Sequence, residues 1–522
     1  MTKTPLFTGG VSRRGVLKGA SALGGAALLG PMGARMARAQ PTQGGVLRIG
    51  QAHGSTTDSL DPGSWENDFM ILQAHTRNNF LTEIMPDGTL RPEIAESWEA
   101  SADAAEWVFT IRSGVQYHSG RTVTAEDVIA SINHHRGEDS TSAAKPIVEG
   151  ITEMRADGMN VIFTLESGNA DFPFIMSDYH LPILPSTDGA IDPMTTDGCG
   201  PYRLDDLEFG VSATYSRHDG YWKDNAAYFD GVEQIAIHDA AARQNALISG
   251  QVDYIDTVDL NTVHLMQRAP GINVLSITGS QHYGLPMDTR EAPFSDNNVR
   301  QALKYAIDRQ QLVDTILNGY GSVGNDHPIS PGQRFFNTEL EQKTFDPDRS
   351  RYYLQQAGLD SLDVDIHLAD AAFAGAIDAG VLYSETAAQA GINLNVVREP
   401  NDGYWSNVWM QKPFCGTYWG GRPTEDWMFA TAYSEGAAWN ESYWSNERFN
   451  ELLIEARAEL NEDLRREMYF EMQDLVANDG GTIIPMFAAY VGAYSDALAH
   501  NDQIASNWRN DGHRISERWW FA

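Results

Sequence analysis

Few residues in this sequence have the types and spacing that chemistry needs. Gly319-Tyr320-Gly321-Ser322-Val323-Gly324 fits G-x-G-x-x-G, the turn that brings a pyrophosphate to a helix N-terminus when a strand precedes it and a helix follows. Apolar spacing from Val299 to Leu317 puts a helix in front of it instead, and the turn formers Asn325, Asp326 and Pro328 come after. That order is wrong for a nucleotide. Among 14 histidines the one tight pair is His134-His135. Successive helix positions diverge by about 100°, so the pair chelates poorly and is expected on a solvated helix face. Neighbouring acids such as Asp205-Asp206 and Asp363/Asp365 are what 71 carboxylates produce by number alone. G-x-S-x-G, H-E-x-x-H and Walker A spacings do not occur, so no catalytic residue, metal ligand or cofactor is assigned. Two cysteines, Cys199 and Cys415, exclude a disulfide scaffold and a multi-cysteine metal cluster; they either pair with each other or serve as small buried hydrophobes.

The dense signal is aromatic. Six of 13 tryptophans (Trp405, Trp409, Trp419, Trp427, Trp439 and Trp444) fall within forty residues, among Tyr404, Tyr418, Phe429, Tyr433 and Tyr443 and the turn formers Gly416, Gly420 and Gly421. Rings carried on glycine-rich loops give large, rigid contact area for an organic ligand. Most of these rings are also suited to a core, and at least two are expected in a binding cleft. Arg422, in the same loop, can clamp a carboxylate or other anionic head.

The elements that must position these groups alternate between strand and helix. Strand patterns occupy 47–49, 107–112, 160–165, 363–368, 392–397 and 482–487, with the β-branched and aromatic content that half-buried strands favour. Thr124-Ala125-Glu126-Asp127 is a capping box ahead of Val128, Ile129 and Ile132. Ser295 or Asp296 starts one long helix ending near Gly319; Asp346-Pro347 starts another that stops at Gly358, and apolar stripes mark two more at 449–460 and 464–476. Strands and helices in alternation predict α/β layers.

At 522 residues, 42% hydrophobic and 21% charged, the chain has room for two to four domains. Its formal charge of −34 argues against nucleic-acid partners and against anionic lipid. The first 39 residues read as a twin-arginine signal: Ser12-Arg13-Arg14-Gly15-Val16-Leu17-Lys18, a short apolar stretch over 19–33, and Ala37-Arg38-Ala39 before Gln40. They hold six basic and no acidic residues, so the remainder carries 31 basic against 71 acidic side chains. Export to the cell envelope is expected, with an envelope enzyme or an envelope binding protein as the two leading classes.

Read in order, the motifs resemble the family 5 solute-binding proteins, the dipeptide-, oligopeptide- and nickel-binding receptors of ABC importers. The resemblance rests on Leu90-x-Pro92-x-x-Ala95-Glu96-Ser97-Trp98, Trp107-x-Phe109-x-x-Arg112-x-Gly114-Val115, His118-x-Gly120 and Thr124-Ala125-x-Asp127-Val128-x-x-Ser131. Gly198-Cys199-Gly200-Pro201-Tyr202, Tyr221-Trp222, Pro293-Phe294, Val299-Arg300-Gln301-Ala302-Leu303 and Ala306-Ile307-Asp308-Arg309 follow. It implies an α/β two-lobed periplasmic-binding-protein clamshell with an additional third domain and no catalysis. One lobe would combine 41–65, 184–280 and 483–522, the extra domain would be 66–183, and the other lobe 281–482, with the hinge near 281 and 483. It implies a monomeric periplasmic receptor that takes a small molecule or peptide and hands it to ABC permease and ATPase subunits.

In the peptide-binding members an Asp close to a Trp of the second lobe pairs with the peptide α-amino group. Residues 414–419 here read Phe-Cys-Gly-Thr-Tyr-Trp, which puts Thr417 at that place and leaves Glu425 or Asp426 as nearby acids. Expected ligand contacts are Tyr283, Trp405, Trp409, Cys415, Thr417, Trp419, Arg422, Glu425 and Trp427, faced from the first lobe by His53, Thr57 and Tyr202. The alternatives are a receptor for a nickel chelate, haem or an opine, or an exported hydrolase acting on peptides or glycans.

Overall fold

The computed structural model describes residues 41–422 and 424–522; the expected signal at 1–39 lies outside them. Nine strands form one mixed sheet, and its order explains the rest. Tyr202–Glu208, Ser212–Arg217, Gly231–Ala236, Val46–Gln51 and Tyr254–Ile255 lead to two long neighbours, Thr482–Ser495 and Ile272–Pro286, and then to Thr417–Trp419; Gly321–Val323 pairs with Thr482–Ser495. Val46–Gln51 runs parallel to Gly231–Ala236, with Val46 opposite Gly231. The long pair is antiparallel from Ile272 opposite Ser495 to Pro286 opposite Thr482.

That ladder is interrupted twice, near its middle between Thr278 and His282 and again between Tyr283 and Leu285. Thr278 faces Ala489 but His282 faces Phe487, so residues 279–281 stand against Ala488 alone. An excess of residues on one strand bends it and raises its local twist. Gly279 is needed there, since a Cβ would lie 2.7 Å from the Tyr490 ring.

Two further layers flank this sheet. Ala95–Ala100, Glu106–Ile111, Asn160–Leu165 and Ile151–Asp157 form an antiparallel sheet beside the helix Ala125–Asn133, whose Thr124/Asp127 capping box is formed. Its core centres on Phe109, Phe163 and Phe172, in edge-to-face contacts of 5.2–6.0 Å, an arrangement the ring quadrupoles favour. The second layer is the parallel pair Leu362–Leu368 and Ile392–Arg398, covered by Ala376–Ala388, while Pro347–Gln356 packs on the helix Asn297–Tyr305.

Two expectations change and one alternative is resolved. The long helix after Asp296 is two, Asn297–Tyr305 and Arg309–Ile316, because Asp308 takes an extended conformation and accepts a hydrogen bond from the Gln311 N–H, starting a new helix. The histidine pair is not solvated. The helix stops at Asn133, His134 Nε2 meets Asp61 at 2.7 Å, and His135 is buried with Nδ1 on the Ser142 hydroxyl at 2.7 Å. Of the two readings of the cysteines, the structure has both thiols free and buried, in separate core clusters.

A buried ionic knot joins distant parts of the chain. Glu83, Glu93 and Glu517 face Lys223, Arg514 and Arg518, with Lys223 at 2.5, 2.7 and 2.8 Å from the three carboxylates and Arg514 at 2.7 Å from Glu93 and Glu517. Burial works against the ammonium of Lys223, yet the three carboxylates hold its pKa above the ordinary value. Removing one partner strands buried charge, so Lys223→Met should cost about 3 kcal/mol in chemical denaturation; a loss below about 1 kcal/mol would contradict the role given to it.

Acid should weaken the fold through histidines. Burial pushes His282 down to about 4, His327 to about 3 and His513 to about 4. The unfolded chain therefore binds protons first as pH falls from about 6.5, and stability is lost until the folded-state values are reached, at roughly 1.4 kcal/mol per unit of difference. The melting temperature should drop steeply between pH 6.5 and 4. A flat profile over that interval would show that these rings are not held neutral.

Candidate functional site

Ligands of open α/β sheets bind beyond the carboxyl ends of the parallel strands. Here those ends are Leu368 and Arg398, and the loops that follow carry Phe373 and Trp405. The short strand Thr417–Trp419 pairs with Ile272–Pro286, setting Tyr418 opposite Tyr283. Residues directly opposite share a face of the sheet, so Tyr283 and Tyr418 point one way, and Thr417 and Trp419 the other. Tyr283 stacks on Phe373 with ring centroids 4.3 Å apart. Trp405 packs edge-on against Tyr418 at 5.6 Å and Trp409 at 5.8 Å. Trp405 and Tyr418 remain 40% and 46% exposed, an aromatic ledge open to a guest.

On the opposite face the sequence reading missed a residue. Glu441 is buried and accepts three hydrogen bonds: from the Thr417 hydroxyl at 2.6 Å, the Trp419 indole at 3.0 Å and the Trp409 indole. Among the described residues no cation lies within ion-pair distance of it, and burial pushes its carboxyl up. A carboxylate therefore does stand at Thr417, delivered from 24 residues along the chain. Its role is positioning: it fixes two indoles whose N–H groups would otherwise be buried without an acceptor.

Beyond Trp419 the loop carries Arg422, whose guanidinium lies 5.5 Å from the Trp419 ring centre and 5.9 Å from that of Trp427. Glu425 is buried and accepts from the Phe335 N–H at 2.8 Å. Asp426 pairs with Arg457 at 3.1 Å, and burial pushes it up to about 6. Trp427 is half-buried on a groove of about 660 Å³ shared with residues 146–175. Cys415 is 1% exposed, in the core behind the ledge, where burial pushes its thiol up to about 12.

From the first third of the chain, His53 Nδ1 meets Asp68 at 3.1 Å, a bond that raises its pKa. Asp68 also takes Arg509 at 2.7 Å. Arg509 lies 5.2 Å from the centre of the Tyr490 ring. Residues 510–513 hold Arg509 there through a left-handed turn with φ between 56° and 65°, a conformation costly for the three non-glycine residues. Thr57 sits in an exposed turn, its hydroxyl 2.7 Å from that of Ser55. Tyr202 is fully buried in another cluster, its hydroxyl donating to the Ser516 carbonyl and accepting from the Phe229 N–H. The structure thus brings Tyr283, Trp405, Trp409, Thr417, Trp419, Arg422 and Trp427 into one chain of contacts, while His53 belongs to a separate group with Asp68 and Arg509. Thr57 and Tyr202 do not join it.

A family model described as bacterial extracellular solute-binding proteins, family 5 Middle, matches residues 89–441. Haem-binding protein A of Haemophilus influenzae is 26% identical over 309 residues, 54% of this chain and 56% of its own length, so the match spans little more than half of that protein. The dipeptide-binding protein of Escherichia coli is 24% identical over 436 residues, 75% of this chain and 80% of its own. Among solved structures, HbpA2 from Haemophilus parasuis superposes with a TM-score of 0.78 at 20% identity, covering 87% of this chain and 96% of that one.

Glu441 gives the site a direct test. Glu441→Ala leaves two indole N–H groups and a hydroxyl without their acceptor, and each costs about 1–3 kcal/mol. Denaturant titration should show a loss of roughly 3 kcal/mol or more, with Glu441→Gln recovering part of it. A change within about 0.5 kcal/mol for the alanine variant would remove Glu441 from this role.

Proposed function

The chain belongs to family 5 of the bacterial extracellular solute-binding proteins, and from that premise we propose that it is the substrate-binding subunit of an ABC importer. It captures a peptide or similar small organic solute between two lobes and delivers it to the membrane permease, while ATP is hydrolysed on other subunits. The lobes are residues 41–65 with 184–280 and 483–522, and residues 281–482; residues 66–183 form the extra domain. The protein acts as a monomer in the periplasm, after export through the twin-arginine signal at 1–39.

One observation carries this reading: two long strands pass from one half of the main sheet to the other, and their ladder is disturbed at residues 279–281. A paired ribbon keeps the halves in register while its disturbed point concentrates bending. Closure depends on solute because only the closed form lets one guest touch both halves. Tyr283, Trp405 and Arg422 would grip from one side, with His53 and Arg509 on the other; Cys415 and Thr417 support the walls. The permease then reads a loaded receptor by its shape.

Native mass spectrometry of the protein from its own periplasm should reveal a bound small solute, released on unfolding. Small-angle scattering should show contraction when that solute is added back. Trp405→Ala, which removes an exposed ring, should weaken binding about tenfold with little change in melting temperature. Unchanged affinity would move the pocket elsewhere, and turnover of a peptide library would replace the receptor by a hydrolase.

A further inference from the structure

The helix Asp68–Arg77 ends on a fully buried cation. Arg77 Nη1 donates to the Thr195 carbonyl at 2.6 Å. Among the described residues its Nε and Nη2 meet no acceptor, and no carboxylate lies within ion-pair distance of it. Burial pushes its pKa down to about 10, so the group keeps its charge at neutral pH. One turn earlier stands Gln73, also fully buried, with neither its amide nitrogen nor its amide oxygen hydrogen-bonded. Side chains four positions apart share one face of a helix, so the two orphaned groups are neighbours.

The surroundings do not supply the missing negative charge. Tyr215 adjoins the Gln73 amide, but burial pushes its phenol up, and its hydroxyl donates to Gln234. Gln234 is occupied in turn by the Gln51 side chain at 2.8 Å and the Phe69 carbonyl at 3.2 Å. The C-terminus of the helix carries about half a unit of negative charge, spread over its last carbonyls. That leaves the guanidinium undercompensated. A water molecule can accept from Nε and Nη2, yet it brings no net charge, and a buried ion without a counter-charge is strongly destabilising.

We propose that a single chloride ion sits on the Nε–Nη2 edge of Arg77, with the Gln73 amide as its third donor. Those two N–H groups lie along one side of the planar fork, so one spherical anion accepts from both. Both side chains are shut off from solvent, which favours a small monatomic ion over a hydrated oxyanion. The ion neutralises the buried charge and ties the last turn of the helix to the core beside Trp65, whose ring centre is 5.9 Å from the guanidinium. The same helix begins at Asp68, which holds His53 and Arg509, so its anchoring steadies that group as well. The site is a structural one and does not depend on which solute is carried.

Sodium chloride is the probe, exchanged against sodium gluconate at constant ionic strength, since gluconate is too large to enter. The melting temperature should rise saturably with chloride, by roughly 1–2 °C for each tenfold increase above half-saturation. Arg77→Met, which removes the charge with its donors, should abolish the dependence. Arg77→Lys keeps the charge without the paired edge and should need about tenfold more chloride. Should either variant fail to fold, crystals of the unaltered protein purified in sodium bromide keep the test decisive. An anomalous peak on the Nε–Nη2 edge is expected. Equal melting temperatures in chloride and gluconate, an unchanged chloride dependence in Arg77→Met, or water alone on that edge in bromide would each overturn the assignment.

Discussion

The pairing of Ile272–Pro286 with Thr482–Ser495 is the constraint on which the other features depend. These strands are neighbours along nearly their whole length. One edge of the pair carries Tyr254–Ile255 near one end and Gly321–Val323 near the other, and the opposite edge carries Thr417–Trp419. Hydrogen bonds across such a ladder are collectively hard to break, so relative movement has to be absorbed where the pattern already fails. The larger of its two irregularities is at residues 279–281, and Ser280 there lines the cavity beside Arg422. A Cβ on Gly421 would come within 1.6 Å of the Ser280 hydroxyl. Anything that bends the ribbon is therefore felt directly at the arginine.

Two buried carboxylate sites show how differently the fold handles charge. The knot around Glu83, Glu93 and Glu517 balances three acids with three bases, and its product is attachment between remote segments. Glu441 is surrounded by neutral donors instead, and its product is orientation of the rings that build the candidate pocket. Such an arrangement is stable only when every lone pair in use finds a donor, which ties Trp409, Thr417 and Trp419 to a single geometry.

Much of the secondary structure could be read from the chain because local rules governed it. The Thr124 capping box, the Asp346-Pro347 helix start and the strand at Asn160–Leu165 all formed where their residues indicated. The break at Asp308 was hidden because the apolar stripe continues through it, and an N-cap inside a stripe has no period of its own. The aromatic cluster marked the region of the candidate ledge, yet not which rings are exposed, since that depends on the alternation of a three-residue strand. Glu441, Asp68 and Arg509 carried no sequence signal. Glu441 meets Trp419 across 22 residues and Asp68 meets Arg509 across 441, and one acid among 71 is not distinguished by its type.

The ionic knot also bears on the order in which the molecule can be assembled. Glu93 is satisfied by Arg514 across 421 positions and Glu83 by Arg518 across 435. Until the ribosome has supplied that late stretch, the early glutamates have only Lys223 to neutralise them. Completion of this protein is thus a post-synthetic event governed by long loop closure, and a nascent chain halted before position 514 would hold a half-built interior that chaperones must shield.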